Sequence, residues 1–432
     1  MSVDFVILAA GNSSRLHSTT PKFFHNIAGK PVIRYIIETA HECNPTNIIV
    51  VTREELKNDV NFNDVTVTVQ PNPLGTADAV KYALDALTSE YTVILCGDMP
   101  LISAEHLECL ANTSSDNALI AMTLPLEFQH MPYGRVVLND GKFNKIVEYK
   151  NASETEKIIS LANTGVYKIE TELLKQYLPL IEKNTESNEY YLTDIFKFIT
   201  DVEVIQSPDY EAFHGINTMQ DLAKAEAFVQ NKLRRKFMEN GVKLIAPETV
   251  YFSYDTVIES GVEIEPNVII GNNVKIGAGS RIYAFSHMQD CIIAQNVEIG
   301  PFARIRGNSR FADGSAIGNF VEVKGSEFGM KTKAKHLTYI GDTTIGEHTN
   351  IGAGTITCNY DGVKKHKTTV GDNVFVGSNT TLISPITVND GAIIGAGSTI
   401  TEDIPSNALA IARERQTIYH NGAEKVWNKK KR

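Results

Sequence analysis

An apolar residue returns at every sixth position through most of the second half of the chain. The run is Ile258, Ile264, Ile270, Ile276 and Ile282, then Ile293, Ile299, Ile305, Phe311, Ile317 and Val323, and later Val370, Val376, Leu382, Val388, Ile394 and Ile400. A helix face would repeat at about 3.6 and a half-buried strand at about 2, so neither explains a strict six. Hexads with Gly or Asn beside the apolar position specify a triangular parallel β-helix, one hexad to each flat side. Three sides make a coil of about 18 residues, which sets residue n beneath n+18 at roughly the 4.8 Å of strand spacing. Each repeat buries its apolar face only against its neighbours, so the array folds as one cooperative unit.

At 432 residues, 42% hydrophobic and 21% charged, the composition is that of an ordinary soluble protein with room for about three domains. A net charge of −10 argues against nucleic acid or an anionic membrane as the main partner, because both demand a basic face. No apolar stretch approaches the roughly 20 residues of a membrane span, and Asp4 stands where a signal peptide would be basic, so a cytoplasmic protein is expected. Cys43, Cys96, Cys109, Cys291 and Cys358 are odd in number and lack metal-binding spacing, as reduced thiols would.

Residues 1–219 alternate short apolar runs (5–8, 48–51, 65–69, 93–95) with amphipathic stretches such as 31–41 and 77–87. That alternation predicts a mainly parallel, Rossmann-like α/β domain. Residues 220–240 carry a helical period through Leu222, Ala225, Val229, Leu233 and Phe237, closed by Gly241, and read as a linker helix. The β-helix domain fills 241–432, and its basic end at 425–432 reads as a solvated tail.

The first strand runs into Leu8-Ala9-Ala10-Gly11-Asn12-Ser13-Ser14-Arg15, followed by Pro21-Lys22. In open α/β sheets ligands bind beyond the carboxyl ends of strands. A small-residue turn there suits a phosphate chain, with Arg15 and Lys22 as counter-charge, and equally suits a plain surface turn. Another strand ends in Cys96-Gly97-Asp98, at the same edge. Asp98 reads either as a Mg²⁺ ligand beside phosphates or as a helix cap.

In the β-helix, the 18-residue rule sets Arg306 beneath Lys324 and Ser378 beneath Ala396. Stacked cations repel, so the first pair implies either a shared anion or two solvated side chains. The second leaves a groove lined by small residues. The ladder breaks twice: 22 residues separate Val323 from Ile345, and 13 separate Thr357 from Val370. Insertions at 331–336 and 359–367 are expected there, as loops on a binding face. They carry His336 and His366, either of which suits proton removal from an amine near neutral pH.

Leu8-Ala9-Ala10-Gly11, Arg15, Pro21-Lys22, Gln70, Leu74-Gly75-Thr76, Gly97-Asp98, Tyr133-Gly134-Arg135, Val147-Glu148, Asn163-Thr164-Gly165 and Gly215-Ile216-Asn217 together resemble the sugar-phosphate nucleotidyltransferases. With Lys335-His336-Leu337-Thr338-Tyr339 and Thr357-Cys358-Asn359-Tyr360-Asp361-Gly362 in the hexapeptide half, nearly the whole chain resembles a more specific family. This is the family of bifunctional N-acetylglucosamine-1-phosphate uridyltransferases and glucosamine-1-phosphate N-acetyltransferases. The resemblance implies a left-handed β-helix, a cytoplasmic homotrimer with acetyl-transfer sites between subunits, Mg²⁺, and UTP and acetyl-CoA as co-substrates. For uridylyl transfer it implies Lys22 and Arg15 as catalytic cations and Asp98 with Asn217 as metal ligands. Leu8, Ala9, Ala10, Gly11, Lys22, Gln70, Gly75 and Thr76 would hold the nucleotide, and Gly134, Glu148, Asn163 and Asn217 the sugar. For acetyl transfer it favours His336 over His366 as general base. Arg306, Lys324, Tyr339, Asn350 and Glu322 would hold the sugar phosphate, and Ala353, Asn359, Tyr360, Ser378, Ala396 and Arg413 acetyl-CoA.

The chain departs from that family at Ser13-Ser14, where Gly-Thr is usual, at Cys96 in place of tyrosine, and at Arg415 in place of proline. A nucleotidyltransferase of another sugar pathway with a regulatory or structural β-helix is the alternative. A non-catalytic scaffold of the same shape is disfavoured by the presence of Lys22, Asp98 and Asn217.

Overall fold

The computed structural model describes residues 2–11, 14–58, 62–185 and 187–429, in two compact units, Met1–Val229 and Gln230–Arg432. The division falls inside the helix Met219–Glu239. Its first half is tied to the first unit by Glu226, which accepts from the Ala28 amide at 2.7 Å. Its second half is tied to the second unit by Gln230, which exchanges two hydrogen bonds with the Phe252 backbone, and by Arg234, which donates to Val250.

In the first unit a twisted sheet runs in the order Glu203–Ser207, Ala118–Thr123, Leu161–Glu170, Tyr91–Cys96, Val3–Leu8, Asn47–Thr52, Thr66–Val69. Val3–Leu8 is parallel to both neighbours, with Leu8 opposite Val51 and Cys96. It is buried along its whole length, which is why it is almost entirely apolar. Its exception, Asp4, accepts from the Thr88 and Ser89 amides at 2.6 and 2.9 Å and from the Ser89 hydroxyl at 2.8 Å. Leu161–Glu170 runs antiparallel to both its neighbours, and the hairpin Arg135–Asn139 with Lys142–Val147 extends from it. The expected helix over 77–87 is helical only at Thr76–Lys81. A short turn, Leu84–Ala86, follows it and leads the chain to Thr88 and Ser89 at the Asp4 carboxylate.

In the second unit three stacks of short parallel strands form the three sides of the coil. Every ladder residue from Ile258 to Ile400 belongs to one continuous buried core. Two positions earlier in the hexad lies a second buried register of small residues. Some of its hydroxyls bond to backbone, as Ser280 does to Ala294 at 2.9 Å and Thr349 to Gly371 at 2.7 Å.

Coil length varies. Ile305 pairs with Val323 across 18 residues, whereas Phe311 pairs with Phe328 and Val323 with Ile340 across 17. The expected insertion at 331–336 is therefore absent. Phe328, Ala334 and Ile340 supply inward residues between Val323 and Ile345, and the 22-residue interval reflects two sides shortened to five. The segment belongs to the strand Lys333–Gly341, paired along its length with Ala316–Lys324. The second interruption is a true insertion: Thr343 pairs with Thr368, giving a coil of 25 residues whose surplus forms the loop at 359–367.

One corner of the coil carries a column of small and polar residues. Asn319 pairs with His336. Ala353, Ser378 and Ala396 hold the same position on the next coils, as the bonds from Gly354 to Leu337, Asn379 to Ala353 and Gly397 to Ser378 record. Beneath this column Gly318 faces the Lys335 carbonyl so closely that a Cβ would run into it. Gly318→Ala is expected to cost about 1–3 kcal/mol, read as a lower thermal midpoint for the β-helix, because the two long strands would have to separate at this point.

Candidate active sites

At the carboxyl edge of the first sheet, Leu8, Ala9 and Ala10 are buried and Gly11 is exposed, with nothing within 4 Å of where a Cβ would stand. The Ala9 amide is committed to the Val51 carbonyl at 2.8 Å, so it serves the sheet and not a ligand. Ser13 lies outside the described residues. Lys22 forms an ion pair with Asp98. The Asp98 carbonyl accepts from the Ile216 amide at 2.9 Å, and Gly215 packs against the Asp98 carboxylate. Arg15 donates to the Asn217 side-chain Oδ1 at 2.9 Å. Thus four residues dispersed from 15 to 217 meet at one strand edge. Asp98 acts there as an ion-pair partner, and the helix-cap alternative falls away. One carboxylate and one amide oxygen suit Mg²⁺, which takes few protein oxygens and leaves room for phosphates. Burial, helped by the charge of Asp98, pushes the Cys96 thiol up to about 12, so it stays protonated and inert.

Gln70 is buried, and its amide donates to Asp78 at 2.7 Å and, more weakly, to the Gly75 carbonyl. The Asp78 carboxylate fixes the amide with its nitrogen toward the protein. Gly75 has φ +109°, and a Cβ there would collide with the Tyr190 backbone, so only glycine fits. Thr76 accepts from the Leu192 amide at 3.0 Å.

Gly134, Glu148 and Asn163 come together because Arg135 pairs with both Val147 and Ala162. The Asn163 amide donates to the Gly134 carbonyl at 2.8 Å, and its side chain exchanges hydrogen bonds with the Tyr167 hydroxyl. Burial raises the Glu148 carboxyl, opposed by a hydrogen bond from Thr193.

In the β-helix, His336 is exposed at its corner, and its Nδ1 lies 2.9 Å from the Asn319 side-chain Oδ1. Above it rises the column Ala353, Ser378, Ala396, with Arg413 beside Gly397. Arg306 and Lys324 do stack in register. Each also has its own carboxylate. Arg306 donates twice to Glu322, at 2.9 and 2.7 Å, and Lys324 twice to Asp342, at 2.8 and 2.9 Å. The stacked cations therefore need no bound anion to coexist. Lys365 reaches the same place, where the Lys324 ammonium pushes its pKa down. Three cations thus face two carboxylates. Asn359 donates to Asp342 at 2.6 Å, and the Tyr339 hydroxyl lies with it over Gly341. Asn350 pairs with Lys333, and no hydrogen bond joins it to His336 among the described residues. Tyr360 donates to the Gly362 carbonyl at 2.6 Å. His366, in the 359–367 loop, is half-buried and held 2.6 Å from Asp361.

Sequence reasoning missed Asn319 and Lys365. The 18-residue rule placed Gly318 beneath His336, and only the 17-residue coil identifies Asn319.

A MobA-like NTP transferase domain model matches residues 5–160, and a bacterial transferase hexapeptide model matches 255–288 and 367–402. Three curated relatives carry the name bifunctional protein GlmU. That of Wolbachia pipientis is 42% identical, covering 95% of this chain and 97% of its own. That of Zymomonas mobilis is 42% identical, covering 99% and 98%. That of Gluconobacter oxydans is 44% identical, covering 88% and 86%.

The corner ion pairs also set an acid limit. Although burial opposes it, hydrogen bonds from Lys324 and Asn359 hold Asp342 below its usual carboxylate range. A depressed pKa stabilises the fold above the unfolded value and loses that contribution as pH falls through the folded value. In urea unfolding measured from about pH 5 down to about pH 2, wild type is expected to lose stability more steeply than Asp342→Asn.

Proposed function

The chain belongs to the family of bifunctional GlmU proteins, and we propose that its two units divide the two reactions, acetyl transfer at the β-helix corner and uridylyl transfer at the sheet edge. The enzyme makes UDP-N-acetylglucosamine. It transfers acetyl from acetyl-CoA to glucosamine 1-phosphate, then uridylyl from UTP to N-acetylglucosamine 1-phosphate, releasing pyrophosphate. The observation that carries a catalytic β-helix over a merely structural one is His336, oriented by Asn319 at the foot of a column of small residues.

Because the Asn319 carbonyl oxygen can only accept, His336 Nδ1 carries the proton and Nε2 keeps its lone pair. Nε2 takes a proton from the glucosamine amine as the nitrogen attacks the thioester carbonyl. The C–N bond forms, the C–S bond breaks, and the proton passes to the departing CoA sulfur. Arg306, Lys324 and Lys365 hold the phosphate of the sugar, and Glu322, Tyr339 and Asn350 its ring. Asn359 and Tyr360 contact acetyl-CoA, whose arm lies along Ala353, Ser378, Ala396 and Arg413. Transfer in this reading is direct, from thioester to amine, with no cysteine taking part; Cys291 lies buried inside the coil, where burial pushes its thiol up to about 12.

At the sheet edge the phosphate oxygen of N-acetylglucosamine 1-phosphate attacks the α-phosphorus of UTP in line and pyrophosphate leaves. Lys22 and Arg15 neutralise the triphosphate, and the Ala10 and Gly11 amides approach it beyond Leu8 and Ala9. Gln70, its nitrogen turned to Asp78, presents its oxygen to the uracil N–H, with Gly75 and Thr76 closing that wall. Gly134, Glu148, Asn163 and Asn217 hold the sugar. Asp98 and Asn217 would hold Mg²⁺, which when bound supplies further charge neutralisation at the phosphates.

The active form in this reading is a cytoplasmic homotrimer. Supporting it, Phe285, Phe302 and Phe320 stack at 4.9 and 5.1 Å in an exposed ridge that continues into Leu337, beside Asn319 and His336. Such an apolar ridge suits burial against another copy. No helix among the described residues is long and apolar enough to cross a membrane.

His336→Ala is expected to lower CoA release from acetyl-CoA plus glucosamine 1-phosphate by about 10²–10⁴-fold while pyrophosphate release continues. Retention of most CoA release would overturn the assignment. Asp98→Ala is expected to abolish pyrophosphate release from UTP plus N-acetylglucosamine 1-phosphate and to spare acetyl transfer. Unchanged pyrophosphate release in this variant would remove Asp98 from the site.

A further inference from the structure

Three polar side chains outside the groups assigned above connect the two halves of the uridylyl-transfer site. His214 Nδ1 lies 2.7 Å from the Tyr133 hydroxyl, and its Nε2 lies 3.0 Å from Asp221 Oδ1. The second Asp221 oxygen accepts from the backbone amides of Asn217 at 3.1 Å and Thr218 at 2.9 Å, and from the Thr218 hydroxyl at 2.9 Å. Tyr133 immediately precedes Gly134, whose carbonyl takes the Asn163 amide. A hydrogen-bonded path therefore runs from the Tyr133-Gly134 turn, which meets Asn163 of the strand Leu161–Glu170, to the turn that carries Asn217.

We propose that His214 and Asp221 are positioning residues for uridylyl transfer, fixing the Asn217 turn against the Tyr133-Gly134 turn on the opposite side of the site. This rests on the proposed function, in which Gly134 and Asn217 meet substrate and metal. Burial, with the nearby charges of Asp221 and Asp98, pushes the Tyr133 hydroxyl up to about 12, so it remains a donor. Imidazole then accepts at Nδ1 and donates at Nε2 to the carboxylate, and every partner is satisfied in one polarity. The path lines a cavity whose other walls include the apolar Leu101, Phe128 and Met131 and the charged Glu211 and Lys224. A broken link there exchanges a fixed partner for mobile groups that do not hold the turn in one place. Neither residue touches the reacting atoms. Losing the link allows the Asn217 turn to drift, and an ångström of misplacement is enough to slow a reaction that relies on positioning.

The test uses the full-length enzyme with His214→Leu, which cannot bridge, and His214→Gln, whose amide can accept from Tyr133 and donate to Asp221. Expected for His214→Leu is a fall in uridylyl-transfer kcat of about 10- to 100-fold. The Kd for UTP, measured directly by calorimetry, stays within about twofold, since the Gln70–Gly75 wall is untouched, and acetyl transfer is unchanged. His214→Gln recovers most of the loss. Adding Asp221→Asn to His214→Leu costs little more than the worse single change, because both act on one path. A His214→Leu kcat within about twofold of wild type overturns the proposal. So does a glutamine variant no better than leucine, or a parallel fall in acetyl transfer. Asn217→Ala, measured alongside, separates the two levels. If it keeps wild-type kcat, the site reading itself fails; if it is inactive while His214→Leu is not, only the positioning link fails.

Discussion

Backbone hydrogen bonding between successive coils is the constraint on which the acetyl-transfer site depends. Parallel pairing fixes which residue lies above which, so the number of residues in a coil decides which side chains meet. With 17 residues, His336 stands over Asn319, which sets its tautomer. With 18, it would stand over Gly318 and have no such partner. With 25, the chain makes room for the loop that delivers Asn359 and Lys365 to the cation cluster. The apolar ladder drives the coil to form, while small changes in its length arrange the chemistry.

The first unit solves a similar problem with a sheet edge. Val3–Leu8 and Tyr91–Cys96 lie side by side in parallel, so their carboxyl ends bring a small-residue turn and Asp98 to one line. Lys22, Arg15, Gly215 and Asn217 close on that line through pairwise contacts. In both units the charges are paired within the protein, Lys22 with Asp98, Arg306 with Glu322, and Lys324 with Asp342. These groups are thus held in place by partners from which a phosphate could draw them.

Much of this was legible in the sequence because it follows from periodicity. The six-residue ladder survives, as do the stacks of Arg306 under Lys324 and Ser378 under Ala396. What was not legible depends on single-residue offsets and on side-chain partner choice. A side shortened to five residues looks like an irregular interval, which is why 331–336 read as a loop although the strand already begins at Lys333. Glu322 is hidden from the coil rule because it stands opposite Arg304 and reaches Arg306 diagonally, whereas Asp342 lies 18 positions beyond Lys324 and was legible in the spacing. His366 sits among lysines in the sequence, yet folding turns it onto Asp361. The path from Tyr133 through His214 to Asp221 links positions 81 apart in the chain at its first step, and no local pattern announces it.

One chain performs both reactions, in the proposed function at two separate sets of residues. The most direct measurement is to give the purified wild-type protein glucosamine 1-phosphate, acetyl-CoA and UTP with Mg²⁺, and to monitor CoA, pyrophosphate and UDP-N-acetylglucosamine together. Both by-products are expected, with CoA release preceding pyrophosphate release and the nucleotide sugar accumulating in step with the latter. Pyrophosphate formed only when N-acetylglucosamine 1-phosphate is supplied ready-made, with no CoA released from acetyl-CoA, would contradict the account and leave the β-helix without a catalytic role.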